Sequence, residues 1–281
     1  MDSSPYHSGP AADAGSMSAT SEREGGTWLP LAGFAIGFLA SWCGIGGGLF
    51  AVPILHFARG FPLKRAVGTG LVLVLATALA ATLTELSRPH PALTARLVAP
   101  LVAGVLVGAP LGFAALQRVQ VTLLRRIFVV VLAVASWRVL AGRGAEAPAS
   151  AGLDAAALLV VGLVGLGGGF VAPLVGVGGG LLMVPGLYLL VGGVGFDEAR
   201  AASLAAAVFA ATRSLSMHAR AGRVAWRTGI RFGLGALLGA GAGVGALGRW
   251  GLVLEARTLL GIVLALVALR FLVDVLRPAQ A

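Results

Sequence analysis

The residues best placed to do chemistry in this sequence are the glycines of two short motifs. The first motif reads G-I-G-G-G over residues 44–48, and the second reads G-V-G-G-G over residues 176–180. Glycine weakens a helix, and so does the proline that ends each motif, at Pro53 and Pro185; each motif therefore predicts non-helical backbone. Unwound backbone presents N–H groups, which bind anions together with the N-terminus of a following helix. The motifs predict an anion site built from main-chain atoms.

Other kinds of site have less support in the sequence. Leu49 and Leu181 stand where the dinucleotide fingerprint G-x-G-x-x-G needs its third glycine, and there is no P-loop. One cysteine, Cys43, excludes an internal disulfide, and the four histidines show no ligand spacing. We therefore expect no catalytic group, metal ion or cofactor.

The composition is that of an integral membrane protein. Of the 281 residues, 58% are hydrophobic and 11% are charged, whereas a soluble domain carries about a quarter charged residues. The mean hydropathy is +0.93. The net charge of +10 comes from arginines scattered between apolar runs, which is typical of charges that set membrane topology. The expected partners are a small anion and membrane lipids, not nucleic acid, and a homodimer is left open.

Eight apolar segments lie between two tails. Residues 1–27 are small and polar and predict a disordered tail, and residues 277–281 form a second tail. A crossing needs about 20 residues, so the first and fifth segments are too long for one straight helix, and each of them contains a glycine motif. The predicted segments are 28–58, 67–86, 97–117, 127–141, 153–193, 201–217, 232–248 and 258–276.

The two motifs belong to an internal repeat. Residues 43–53 return as residues 175–185, and Arg125 and Arg138 recur at the same offset as Arg257 and Arg270. Duplicated and interrupted hydrophobic segments are typical of secondary transporters, whose binding site lies at the interruptions. The predicted organisation is a first repeat (28–141), a linker (142–152) and a second repeat (153–276).

With these features the sequence resembles the TauE/SafE sulfite exporter family. The resemblance rests on the doubled motif, on the helix starts at 66–70 and 201–203, and on V-A-W-R over residues 224–227. It covers residues 28–276 and implies a multi-pass permease of about eight spans in a bacterial-type inner membrane. The implied substrates are sulfite, sulfonates or related organosulfur anions. The first repeat departs from the pattern, with L-T-A-R over residues 93–96 and Gly70 opposite Ser203.

The candidate substrate-binding residues are the motif glycines and prolines, a hydroxyl at each following helix start, and one arginine inside the sixth segment. Two alternatives stay open: the glycines could serve only as helix contacts, and the arginine could snorkel to the interface. Glu85 and His218 end the second and sixth segments, where interfacial solvation is expected and proton relay is the alternative. The candidates are Gly44, Gly46, Gly47, Gly48, Pro53, Thr69, Gly176, Gly178, Gly179, Gly180, Pro185, Ser203 and Arg213.

The sequence thus predicts an all-α polytopic secondary transporter for small anions, driven by an ion gradient or by the substrate's own gradient. An anion channel on the same bundle is the alternative, and a membrane enzyme acting on lipid is a remote one. Eight full crossings would make the repeats parallel. Re-entrant motifs would instead leave three crossings per repeat, invert the repeats, and put the basic stretches 59–65, 118–126 and 213–231 on one side. We expect eight segments and keep the inverted arrangement open.

Overall fold

The computed structural model describes residues 28–89, 91–118, 132–141 and 154–276, and these residues form helices with no strand among them. The tails, the linker 142–152 and Arg125 lie outside the described residues. The first half contains α1 (Trp28–Cys43), α2 (Gly48–Pro53) with a π-helical turn (Ile54–Ala58), α3 (Leu63–Leu86), α4 (Ala95–Arg118) and α5 (132–140). The second half contains α6 (Ala155–Val175), α7 (Gly180–Leu190), α8 (Phe196–Arg220), α9 (Trp226–Trp250) and α10 (Val253–Leu276).

Helix starts follow capping groups rather than the first apolar residue. α6 begins after Asp154, whose carboxylate accepts the N–H of Ala157 at 2.7 Å. α8 begins at Phe196, and the Glu198 carboxylate accepts the N–H of Gly195 at 3.0 Å. A carboxylate in the first turn pairs with amides that have no partner within the helix. α8 therefore begins before the predicted segment at residue 201 and carries charged residues into the bundle.

Among the described residues, four helices are long and apolar enough to cross a membrane: α3, residues 95–116 of α4, α6 and α9. α1, α2 with its π-turn, and α7 are shorter apolar helices. α8 has 25 residues, enough for a span, but Asp197, Glu198, Arg200 and Arg213 lower its hydropathy. These helices are those of a multi-pass membrane protein.

Each overlong segment folds into a helical hairpin. In the second half, Met183 of α7 packs at Gly168 of α6, and Gly186 lies farther back against Val164, so α7 runs antiparallel to α6. In the first half, Gly47 lies against Ile36 of α1, and Ile36 shares a core cluster with residues Leu29, Ala51 and Leu55. The glycine motif forms the bend of each hairpin.

Helices α3 and α8 run antiparallel, and the contacts at their two ends define the two ends of the bundle. At one end Glu85 of α3 forms an ion pair with Arg200 of α8 at 2.7 Å, and we name it the Arg200 end. At the other, Gly68 of α3 lies against His218 of α8, and we name it the His218 end.

The two hairpins enter the bundle from opposite ends. The α1 carbonyl of Ser41 lies 3.4 Å from Arg200, so α1 begins at the His218 end and runs toward the Arg200 end. The α6 carbonyl of Pro173 lies 3.2 Å from His218, so α6 runs the opposite way. The direction of corresponding elements is therefore reversed between the two halves.

Glycine faces bring two helix pairs into backbone contact, as the glycine-rich composition predicts for helices in lipid. Along α1 and α9, a Cβ added at Gly33 or Gly239 would overlap main-chain atoms of the other helix. Along α4 and α6, the same holds for Gly108 and Gly165. These contacts hold each hairpin against a long helix and so fix the depth of the motifs.

Candidate functional site

The backbone leaves the helical region at both motifs, as predicted. Gly44, Gly46 and Gly47 have φ of +73°, +78° and +80°, and α2 begins at the next residue. In the second motif, Gly176, Gly178 and Gly179 have φ of +75°, +74° and +84° before α7 begins. Residues with a side chain rarely adopt this left-handed region, so glycine is strongly favoured at these positions.

The two motifs pack directly against each other at the middle of the bundle. A Cβ added to Gly48 would overlap the carbonyl oxygen of Gly176, and one added to Gly180 would overlap the carbonyl oxygen of Gly44. Val74, at the centre of α3, lies against both Gly46 and Gly178. All residues of both motifs are buried. The structure thus brings together ten residues that are separated by about half the chain.

Several main-chain N–H groups at this crossing have no acceptor among the residues that the structure describes. The first hydrogen bonds after the first motif are donated by Phe50 and Ala51 to the Gly47 carbonyl, and those after the second by Leu182 and Met183 to the Gly179 carbonyl. Within the described chain, no acceptor is found for the N–H groups of residues 46–48 and 178–180. Buried donors normally have partners, so this arrangement can accept a ligand that offers oxygen atoms.

Of the remaining candidate residues, some lie at the motifs and others do not. The buried Ser203 reaches the first motif, because its hydroxyl donates to the Gly44 carbonyl at 3.1 Å. Thr69 is buried, but its hydroxyl accepts the N–H of Ala225, in the connection between α8 and α9, at 3.0 Å. Pro185 is buried within α7, whereas Pro53 and Arg213 are exposed on their helices. Nothing in the structure brings Arg213 to the motifs.

A buried ionic cluster lies at the Arg200 end and was not found from the sequence. Arg200 is 0% exposed and Glu85 is 1% exposed, and the expectation that Glu85 is solvated at the interface is therefore wrong. Arg200 also pairs with Asp197 at 2.6 Å, and Arg88 joins Glu85 and Asp197 at 2.7 and 3.2 Å. The i,i+3 spacing of Asp197 and Arg200 could have indicated an ion pair on one helix. Both residues precede the predicted apolar segment, however, and so were not expected inside the bundle.

His218 is also buried, so interfacial solvation is wrong for this residue too. Its Nε2 lies 3.2 Å from the Pro173 carbonyl, and its ring is nearly perpendicular to that of Phe113, with 5.3 Å between centroids. Pro173 is three residues before the second motif, just as Ser41, next to Arg200, is three residues before the first. Each motif therefore has a buried basic side chain at the end of the helix that leads into it.

Comparison with known proteins agrees with the motifs. The family model described as "Sulfite exporter TauE/SafE" matches residues 7–139 and 161–281, which include both glycine motifs, Glu85, Arg200 and His218. No curated protein and no solved structure gives a significant match to the chain. The match covers most of the chain, and the two glycine-bent hairpins and the long apolar helices agree with it. The chain therefore belongs to the sulfite exporter TauE/SafE family.

Proposed function

We propose that this protein is a secondary transporter that moves sulfite, sulfonates or related organosulfur anions across the inner membrane. The observation that carries the proposal is the contact between the two buried motifs, whose N–H groups at residues 46–48 and 178–180 have no acceptor in the described chain. A small oxyanion supplies oxygen atoms to such groups, and main-chain dipoles stabilise its charge without a buried cation. Family membership supports the same substrate class.

The proposed layout is an inverted repeat with three crossings in each half around one re-entrant hairpin. Its support is the antiparallel direction of α3 and α8 and the entry of the hairpins from opposite ends. In this layout the basic stretches 59–65 and 213–231 share the His218 end with Arg118, the last described residue of α4, and the positive-inside rule assigns this end to the cytoplasm. The rest of the third basic stretch, 119–126, lies outside the described residues.

The proposed transport cycle alternates access between the two ends. Because both motifs are buried here, this conformation corresponds to a state in which the central site is closed. Opening the Arg200 end separates the buried ion pairs, and opening the His218 end separates Pro173 from His218. An anion channel on the same bundle would instead need a continuous path past the motifs, and their burial favours the transporter.

The test compares two alanine substitutions with the same backbone strain. Gly46 and Gly60 both have positive φ, of +78° and +69°. A methyl group at Gly46 would point toward Val74 and, at 3.6 Å, the Val177 carbonyl, whereas nothing lies within 4 Å of one at Gly60. Each substitution costs roughly 1–2 kcal/mol of backbone strain.

We expect Gly46→Ala to lower sulfite flux into proteoliposomes by roughly tenfold or more, which corresponds to the loss of about one charge-assisted hydrogen bond. Gly60→Ala should transport like the wild type, and its melting temperature in detergent should fall about as far as that of Gly46→Ala, because the backbone strain is the same. Equal flux in the two variants would remove the motif from the transport mechanism. A fall in both flux and melting temperature that is specific to Gly46→Ala would assign the motif to helix packing.

A further inference from the structure

Three buried polar atoms at the His218 end have no hydrogen-bond partner among the described residues. They are the hydroxyl oxygen of Ser214, Nδ1 of His218 and Nη1 of Arg223. Ser214 and His218 are both 0% exposed. Buried polar atoms are paired in most proteins, and each exception needs an explanation such as a ligand or an ordered water. Three exceptions in one place point to a ligand.

The three residues are neighbours. Ser214 and His218 are one turn apart on the buried face of α8. The N–H of Arg223 donates to the His218 carbonyl at 3.0 Å, so the chain folds back over the end of α8. Phe113 of α4 lies beside both: its ring is nearly perpendicular to that of His218, and its centroid lies 5.9 Å from the Arg223 guanidinium carbon. Gly68 of α3 closes the cluster, because a Cβ there would overlap the Arg223 carbonyl.

The charge of this cluster is unbalanced. Arg223 forms no ion pair with a carboxylate of the described chain. Arg200, at the opposite end, is matched by Glu85 and Asp197. A guanidinium with a buried, unpaired N–H group attracts an anion that can take that hydrogen bond.

His218 makes the cluster sensitive to protons. Its Nε2 faces the Pro173 carbonyl, which only accepts, so the neutral ring carries its hydrogen on Nε2 and a lone pair on Nδ1. A second proton converts Nδ1 into a donor. Around the ring, α4 presents Phe113 and α6 presents the Pro173 carbonyl, and Arg223 is the charged group beside it. Arg213 and Arg220 on α8 are exposed.

We propose that Ser214, His218 and Arg223 form an oxyanion subsite that binds a small anion together with one proton. The anion accepts from the Ser214 hydroxyl, from Arg223 Nη1 and from protonated Nδ1 of His218. In the neutral ring the Nδ1 lone pair repels the anion, so the proton and the anion bind cooperatively. The subsite lies beside Pro173, at the approach to the second motif, and its role in transport rests on the proposed function.

The test measures binding to the purified full-length protein in detergent by titration calorimetry. Methanesulfonate is the probe because its charge does not change between about pH 5.5 and about pH 8, on either side of the ordinary histidine pKa. The wild type should bind roughly tenfold or more weakly at the higher pH and take up close to one proton per anion at neutral pH.

Two variants separate the contribution of the Arg223 charge from that of the proton on His218. Arg223→Gln should weaken binding by roughly tenfold or more at both pH values. His218→Gln keeps a donor for the Pro173 carbonyl but has no Nδ1, so its binding should be weak and independent of pH. Arg220→Gln is the matched control, since Arg220 ends the same helix but is exposed, and it should bind like the wild type. Melting temperatures identify any variant that fails to fold, in which case Arg223→Lys replaces Arg223→Gln.

Parallel flux measurements with sulfite separate this proposal from the proposed function. If His218→Gln and Arg223→Gln both bind methanesulfonate like the wild type and still transport sulfite, the subsite proposal is overturned and the transporter proposal stands. Binding that depends on pH and on Arg223, without flux of any tested anion, supports the subsite and contradicts the transporter. Absence of binding in the wild type at both pH values overturns the subsite whatever the flux.

Discussion

At the scale of single residues, the fully buried basic side chains of the described chain, Arg200 and His218, each lie close to a main-chain carbonyl. Arg200 has two carboxylate partners and lies near the Ser41 carbonyl. His218 has the Pro173 carbonyl. Burying an isolated charge costs much more than burying one that is paired. The ionic cluster is therefore a place where removal of one partner has a large effect.

Glu85→Gln should strongly destabilise the protein, because it leaves the fully buried Arg200 with only the partly exposed Asp197. Breaking a buried pair from one side costs about 3–5 kcal/mol. Arg88→Gln is the control: Arg88 contacts the same carboxylates but is 22% exposed, and we expect a loss under about 1 kcal/mol.

The measurement is the melting temperature of the purified protein in detergent. Equal shifts for Glu85→Gln and Arg88→Gln would mean that Arg200 gains little from Glu85. A stable Glu85→Gln variant with altered flux would instead assign Glu85 to the transport cycle rather than to the fold.

At the scale of elements, the hairpins depend on glycine at defined positions of their helices. α6 offers a comparison within one helix, since Gly165 and Gly167 are two residues apart. A Cβ at Gly165 would overlap the Leu101 carbonyl of α4, whereas nothing lies within 4 Å of one at Gly167. The two glycines therefore differ in packing although their local sequence is almost the same.

Gly165→Ala should destabilise the protein by roughly 1–3 kcal/mol, because the overlap pushes α6 away from α4. Gly167→Ala should leave stability unchanged or raise it by up to about 1 kcal/mol, since alanine favours the helix. Melting temperatures of the two variants check this directly. If both variants melt alike, α4 and α6 are not in backbone contact.

At the scale of the whole molecule, the inverted arrangement makes a prediction about sidedness. Ser87 follows α3 at the Arg200 end, and Ala221 follows α8 at the His218 end; both are exposed. They occupy nearly corresponding positions of the two repeats. Parallel repeats would put them on the same side of the membrane, and inverted repeats put them on opposite sides.

Single cysteines at these positions test the layout, in a Cys43→Ser background because Cys43 is the protein's one cysteine. A membrane-impermeant thiol reagent added to intact cells or spheroplasts should label Ser87→Cys but not Ala221→Cys. Inside-out vesicles should show the reverse. Labelling of both positions from one side would contradict the inverted arrangement.

Much of this protein could be predicted from the sequence alone. Membrane insertion follows from composition, because so few charged residues cannot cover a soluble surface. The helix breaks at residues 44–48 and 176–180 follow from local backbone energetics, since four glycines before a proline weaken any helix. Neither result depends on which surfaces meet.

Only the tertiary structure decided how these elements are used. The reversal of α7 along α6, and the packing of Gly48 on Gly176, are contacts between surfaces whose pairing no local pattern specifies. Burial of Glu85 and His218 was missed because a polar residue at the end of an apolar segment has the same local sequence whether it faces water or a partner helix. The partner decides, and Arg200 and Pro173 reach these residues from distant parts of the chain.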